Sequence, residues 1–327
     1  MLPQRSTPST VTESLSTSLS SDQILSTMAS PCAGLRPVID YAVNTHGKRL
    51  RSRLLVLSAR TLSPQPESLA ETAVLVELLH NGTLLHDDVM DRATVRRHRP
   101  TVNRLWGDPV AILAGDFLLV AVMDLALKTR VEAVPRLTVD TLMHLLSGQM
   151  QEIRNQGNLS LDEGEYLEII GKKTGALFAA SCTLGGLVAG GEPEQLRALG
   201  TFGRQLGLAF QLLDDLRDYL SEQARTGKEP GRDLAEAKVT LPLIAALRNA
   251  NQEQRRTVRH LFAGNDRGRH LQRFRALIQD LGGFSYTLAL ARGCIHRAVR
   301  SLEDLPCGEA RSSLAGAARA LLEGEVK

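Results

Sequence analysis

Residues 69–86 read LAETAVLVELLHNGTLLH, and the five that follow read DDVMD. Leu, Val and Ala recur three or four residues apart through the first stretch, over a run too long for a strand. This spacing predicts a buried helix from Leu69 to His86 that runs into Asp87, Asp88 and Asp91. A second apolar run, Gln195 to Leu220, carries Asp214, Asp215 and Asp218 in the same spacing. The helical period also covers Leu50 to Leu62, Val110 to Lys128, Val139 to Ile153 and Tyr166 to Val188. Period-two alternation joined by hairpin turns is not apparent. Breakers fall between the runs, at Pro64 and Pro66, Gly107-Asp108-Pro109, Pro135, Gly157 and Gly190-Gly191-Glu192-Pro193. No internal repeat of fixed period is found. The expected fold is all-α, a large single helical bundle.

Bulk composition narrows the class. A hydrophobic fraction of 43% and a charged fraction of 23% are those of a globular protein, and a net charge of +3 asks for neither nucleic acid nor an anionic membrane. The four cysteines, Cys32, Cys182, Cys294 and Cys307, show no metal-knuckle spacing and suggest no disulfide framework. No uninterrupted apolar run reaches the roughly 18–20 residues of a membrane span. Residues 1–21 are rich in Ser and Thr and lack the apolar stretch of a secretory signal. They are expected to form a disordered tail ahead of a folded domain over 22–327, with the cytoplasm as the address.

In each acidic cluster the carboxylates fall at i, i+1 and i+4. At about 100° per residue the first and third share a helix face and the second sits beside them. Both triplets end apolar helices, which places them at the rim of the core, although acidic residues there oppose the helix dipole. Two carboxylates about 6 Å apart repel by roughly 3 kcal/mol at an effective dielectric near 20. If the clusters converge, they must bind protons or cations. With no nearby His or Cys ligand set, the donors favour Mg²⁺ or Mn²⁺, ions that complete their shells with water and phosphate oxygens.

Basic groups flank the clusters: Gly47-Lys48-Arg49-Leu50-Arg51, Arg96-Arg97-His98-Arg99, Gly171-Lys172-Lys173-Thr174, and Lys228 with Lys238. The third imitates the end of a nucleotide P-loop, but Tyr166 stands where that motif needs glycine, and no strand precedes it. Together the groups offer charge for two diphosphates, one held through metal on the aspartates and one held by Arg and Lys directly.

These motifs resemble the trans-isoprenyl diphosphate synthase (polyprenyl synthetase) family. The likeness runs from about Asp40 to Pro242. It is carried by the Gly47–Arg51 segment, Glu77-Leu78-Leu79-His80 leading into Asp87–Asp91, and Arg96 to Asn103. Leu113 to Leu119, Lys173-Thr174, Phe210 to Asp215 and Gly227 to Pro242 follow in order. The resemblance implies a homodimer of mostly antiparallel helices around a deep central cavity. It implies a prenyltransferase that condenses isopentenyl diphosphate head-to-tail onto an allylic diphosphate. By the same resemblance, Asp87, Asp88 and Asp91 bind two Mg²⁺ ions, and Asp214 with Asp215 and Asp218 a third. Arg96, Lys173, Thr174, Gln211, Lys228 and Lys238 hold the allylic diphosphate, and Lys48, Arg51, His80 and Arg97 hold isopentenyl diphosphate. Departures from the family pattern are Ser52 in place of a common Pro, Gln149 at a usual Gly-Glu pair, Ala237 in place of Gly, and an acidic tail.

Product length is read from the helix turn before Asp87. Gly82 and Thr83 lie there, with Leu79 one turn further back, where short-chain relatives often place an aromatic plug. The open wall predicts a medium or long product, with geranylgeranyl diphosphate the floor and a quinone side chain of roughly six to ten units the expectation. Rivals are a terpene cyclase, which normally carries an Asn/Ser/Glu triad in its second cluster; a non-catalytic subunit, which tends to lose aspartates; and a catalytic subunit that needs a small accessory partner.

Overall fold

The computed structural model describes residues 34–44, 49–66, 68–220, 231–263 and 267–323. The proposed tail, Lys48 and Lys228 lie outside the described residues. The elements are α1 (Arg36–Val43), α2 (Leu50–Leu62), α3 (Leu69–Met90), β1 (Val95–Arg96), β2 (Arg99–Pro100), α4 (Val102–Trp106), α5 (Asp108–Lys128) and α6 (Ala133–Arg154). They continue with α7 (Glu163–Ile170), a π-helical turn (Gly171–Gly175), α8 (Ala176–Val188), α9 (Pro193–Leu220) and α10 (Arg232–Ala235). The last are α11 (Leu241–Asn249), α12 (Gln252–Ala263), a 3₁₀ turn (Arg267–His270), α13 (Leu271–Asp280), α14 (Gly283–Ser301) and α15 (Glu309–Glu323).

The expected helices are present, and their boundaries show what the breakers do. Pro109 and Pro193 sit in the first turn of α5 and α9 rather than between helices, because a helix start has no carbonyl partner to lose there. Pro135 likewise falls inside the first turn of α6, so that helix begins six residues before Val139. The Tyr166–Val188 run is two helices joined by the π-turn. Two-residue strands, too short to leave an alternating pattern, pair antiparallel after the first acidic cluster. Their turn residues, Arg97 and His98, both have positive φ (51° and 62°), the conformation a tight hairpin demands.

α9 packs along α8 and α14, α8 along α2, and α3 along α5. Glycines let these helices approach: a Cβ on Gly185 would lie 2.2 Å from the Leu55 carbonyl oxygen, and one on Gly203 2.3 Å from that of Phe178. One apolar cluster surrounds α9 and the C-terminal helices, with Phe202, Tyr219 and Phe274 fully buried. A second surrounds α2, α3 and α5, built on Leu55, Leu75, Leu78 and Leu118.

α5 is the one helix among the described residues long and apolar enough, by length and composition, to cross a membrane. The run-length reading passed over it because Asp116 and Asp124 interrupt the apolar sequence. One face of α5, including Ala111, Ala114, Leu118 and Val122, is buried in the core. The opposite face stays exposed.

Candidate active site

A cavity of about 420 Å³ opens between α3, α6, the π-turn, α9 and the segment 231–240. The helix ends fix its chemistry. α3 delivers Asp87 and Asp91 to the cavity wall from its last turn, and α9 delivers Asp214, Asp215 and Asp218 from the facing side. The six aspartates read as two equivalent triplets are not equivalent in space. Asp88 is turned out of the cavity and buried at 4% exposure, where Arg96 Nε and Nη2 each donate to its Oδ1 at 2.7 Å. Asp215 is buried too. It accepts hydrogen bonds from the Tyr166 hydroxyl and from Gln211 Nε2 (2.8 Å), and Gln211 in turn accepts from Thr174 Oγ1 at 2.8 Å. Asp218 accepts the backbone N–H groups of Arg232 (3.1 Å) and Asp233 (3.0 Å), tying the incoming loop to α9. Of the six aspartates, Asp87, Asp91 and Asp214 line the cavity without such a hydrogen-bond clamp on their carboxylates.

Their environment is strongly anionic. Burial raises the pKa of Asp87, Lys173 works against it, and Asp91 adds to it. Burial pushes Asp215 up to about 7 against its two hydrogen bonds. Burial, with Asp218 and Asp215 nearby, carries Asp233 well above the usual carboxylate range. Such groups call for added positive charge. Among the described residues, no three His, Cys, Asp or Glu side chains converge into a closed metal cage. The cavity's acidic donors are all carboxylate oxygens, a set that suits Mg²⁺, an ion that takes one or two carboxylates and fills its remaining positions with water and substrate phosphates. Asp87, Asp91 and Asp214 are the residues that would hold it.

Cations face this wall. Lys173 on the π-turn pairs with Glu152 of α6, and Lys238 lies 3.6 Å from Asp91 and 2.7 Å from Glu236. Gly148 makes the approach of α6 to the π-turn feasible, since a Cβ there would lie 2.6 Å from the Lys173 nitrogen. Burial opposes the charge on Lys238, yet Glu152 and Asp91 hold its pKa above the ordinary lysine value. At the other end, Arg51 Nη1 lies 3.0 Å from His80 Nε2, and its guanidinium stacks 4.7 Å from the centre of the Phe178 ring. Arginine only donates, so His80 Nε2 accepts and Nδ1 carries the proton. Burial, with Arg51 and Arg97 nearby, drives the His80 pKa well below its usual value and keeps the ring neutral. Burial lowers Arg51 to about 10 against Glu77, so it stays charged at neutral pH. Its Nε is buried without a hydrogen-bond partner. Ser52, where relatives often have Pro, uses its N–H on Glu77 Oε1 (3.2 Å), a bond proline could not make.

Apolar side chains, Leu84, Leu145, Ile170, Leu177 and Phe210, also line the cavity. Thr83 lines it, its hydroxyl spent on the His80 carbonyl at 2.9 Å. Gly82 and Leu79 do not line it. A Cβ on Gly82 would meet Leu119 of α5 at 3.1 Å, so that glycine serves helix packing, and Leu79 is 2% exposed in the core. Glu152, Tyr166, Arg232, Asp233 and Glu236, to which the motifs assign no role, also line the cavity. Asp233 and Glu236 precede Lys238 in a segment that carries the family resemblance; Tyr166 carried no signal beyond being apolar enough for a core.

The polyprenyl synthetase family profile matches residues 33–281. The chain belongs to the polyprenyl synthetase family. It is 34% identical over 290 residues to the short chain isoprenyl diphosphate synthase of Methanothermobacter thermautotrophicus, covering 88% of this chain and 89% of that one. It is 33% identical over 274 residues to the octaprenyl diphosphate synthase of Haemophilus influenzae, covering 84% and 83%. Its fold superposes on a decaprenyl diphosphate synthase from Rhodobacter capsulatus with a TM-score of 0.88 at 31% identity, covering 96% of this chain and 97% of that one. Membership in this family makes the chain a trans-prenyltransferase and accounts for the order in which the acidic and basic segments recur. Magnesium dependence is a general property of the family.

Proposed function

We propose that this chain condenses isopentenyl diphosphate head-to-tail onto an allylic diphosphate, building an all-trans polyprenyl diphosphate of medium or long chain. The observation that carries the proposal is the cavity's lining, which brings carboxylates, two sets of cations and apolar side chains to one space. Lys173, Lys238 and Arg96, with Lys228, hold the allylic diphosphate; Arg51, Arg97 and His80, with Lys48, hold isopentenyl diphosphate. Bound Mg²⁺, for which Mn²⁺ can substitute, supplies positive charge beside the leaving diphosphate, with about three ions expected per site. As the allylic C–O bond ionises, the electron pair goes to diphosphate, and the surrounding Lys and Arg side chains stabilise the developing charge. The isopentenyl double bond then forms the new C–C bond, and the proton lost passes to the departing diphosphate. Leu84, Leu145 and Phe210 keep water from the cation, and the two anchored diphosphates fix the approach.

Two of the three named similar proteins make octaprenyl or decaprenyl diphosphate by name, which supports the longer product. The wall-lining residue to test is Thr83. Thr83→Phe should shorten the product of incubation with Mg²⁺, isopentenyl diphosphate and farnesyl diphosphate; an unchanged chain length removes Thr83 from the tunnel. In the same assay, a wild type that stops at geranylgeranyl diphosphate refutes the long-chain reading. No consumption by the lone chain points to an accessory subunit, and cyclic hydrocarbon to a cyclase.

The exposed face of α5 and α6 carries Leu113, Val120, Leu127, Met143, Leu146 and Met150, each at least 50% exposed. So many exposed apolar side chains on two adjacent helices mark an interface, and a second copy of the chain is its proposed occupant. The buried thiols of Cys182 and Cys294 are unpaired, which suits the reducing cytoplasm as the compartment.

A further inference from the structure

We propose that Arg232 is a further diphosphate-binding residue, one that joins the segment 231–240 to the first acidic cluster and transfers its guanidinium from Asp91 to the allylic diphosphate. The proposal deepens the prenyl-transfer reading above and rests on it. Lys228 and Lys238 drew notice because they match a motif, whereas Arg232 stands out only in space.

Its backbone and side chain belong to different parts of the site. Gly231, at φ 79°, donates its N–H to the Asp218 carbonyl at 2.9 Å, and the Arg232 N–H bonds the Asp218 carboxylate. The chain is thus pinned to α9. The side chain then crosses to α3, where Nη2 lies 3.5 Å from Asp91 Oδ2, beside Lys238 at 3.6 Å. Charge-assisted N–H···O bonds close to about 2.7–2.9 Å. Both cations therefore stand off Asp91 by more than bonding distance. Glu236, one turn along, holds Arg232 Nε at 2.5 Å, which fixes the guanidinium plane and leaves the Nη side for another partner.

The other cations of the wall are already engaged closely. Arg96 is clamped on Asp88, and Lys173 on Glu152. Arg232 is held closely only through Nε, its Nη2 makes only the long contact with Asp91, and it lines the cavity with a planar fork that matches two phosphate oxygens at once. When a diphosphate enters, exchanging a long contact with Asp91 for a bidentate one with phosphate also frees Asp91 for a cation.

The test compares Arg232→Gln and Arg232→Lys with wild type, measuring KM for farnesyl diphosphate and for isopentenyl diphosphate separately. Binding of inorganic pyrophosphate with Mg²⁺ is measured by calorimetry, and melting by circular dichroism. Losing one charge-assisted partner predicts a rise in the farnesyl diphosphate KM of about 10–100-fold in Arg232→Gln. The isopentenyl diphosphate KM should stay within about two-fold, and pyrophosphate affinity should fall in parallel. Arg232→Lys should recover part of both. A farnesyl diphosphate KM unmoved in Arg232→Gln overturns the proposal, as does an equal loss for both substrates with a lowered melting point. A wild type that binds pyrophosphate through Arg232 yet condenses nothing would instead sink prenyl transfer and leave this assignment standing.

Discussion

Asp87 and Asp88 are chain neighbours with the same side chain, and the fold gives them opposite tasks. One faces the cavity; the other is locked by Arg96. Asp214 and Asp215 divide the same way, with Asp215 held by Tyr166 and Gln211. Identity and spacing were legible in the sequence, but which carboxylate turns inward depends on partners 4 to 49 residues away. Asp215 has a consequence for pH. Its folded pKa, about 7, lies above the value of 3.8 expected in the unfolded chain. Below 3.8 both states hold the proton. Between 3.8 and about 7 only the folded state does, so stability falls as pH rises through that window and the full cost applies above it. Metal-free Asp215→Asn should therefore melt above wild type at pH 8, with the gap closing toward pH 5; a gap independent of pH contradicts the assignment. Ala237 makes a second case. It occupies φ 57°, where a Cβ is strained and relatives use glycine. Ala237→Gly should stabilise by about 0.5–1 kcal/mol, raising Tm by about 1–3 °C. A drop in Tm would show that the turn is not strained.

Helices were the most legible level. Leu50–Leu62 is found with the expected ends, and Leu69–His86 needed only one further turn to take in the aspartates. The π-turn was not visible, because an apolar pattern that continues in register on both sides hides the widened turn between them. Gly171 and Gly175, which bound it, were its only trace. Such turns gather at functional sites, and this one carries Lys173 and Thr174. The packing role of glycine is also invisible along the chain. Gly185 and Gly316 are both helical, yet a Cβ added to the first would lie 2.2 Å from the Leu55 carbonyl oxygen, while one added to the second would meet nothing within 4 Å. Gly185→Ala should destabilise by about 1–3 kcal/mol through overpacking, whereas Gly316→Ala should stabilise by up to about 1 kcal/mol through helix propensity. Chemical denaturation of the two variants decides it: equal effects would mean that α2 and α8 do not cross as closely as described.

At the scale of the whole molecule, the helical bundle and the family followed from ordered motifs, while the uncovered flank of α5 and α6 became apparent only once burial was known. Its residues read as ordinary core. If a second copy covers them, Leu127→Glu with Met143→Glu should yield monomers in sedimentation at micromolar concentration where wild type is dimeric. A wild type that sediments as a monomer removes the proposed partner. Replacing these two residues should leave the melting of each subunit's interior largely unchanged, since Leu127 is 74% and Met143 63% exposed in the single chain.

Asp91, flanked by Arg232 and Lys238, has a consequence in linkage. A carboxylate already balanced by internal counter-ions gives a free divalent ion little to gain, until an incoming anion draws those counter-ions away. Metal and diphosphate should then bind with positive cooperativity, each tightening the other by the same factor. Calorimetric titration with Mg²⁺ alone should show weak binding that strengthens once inorganic pyrophosphate is present, and pyrophosphate should show the mirror-image dependence on Mg²⁺. The two ligands would enter as a coupled pair, and the ligand-free protein would keep its shape without either.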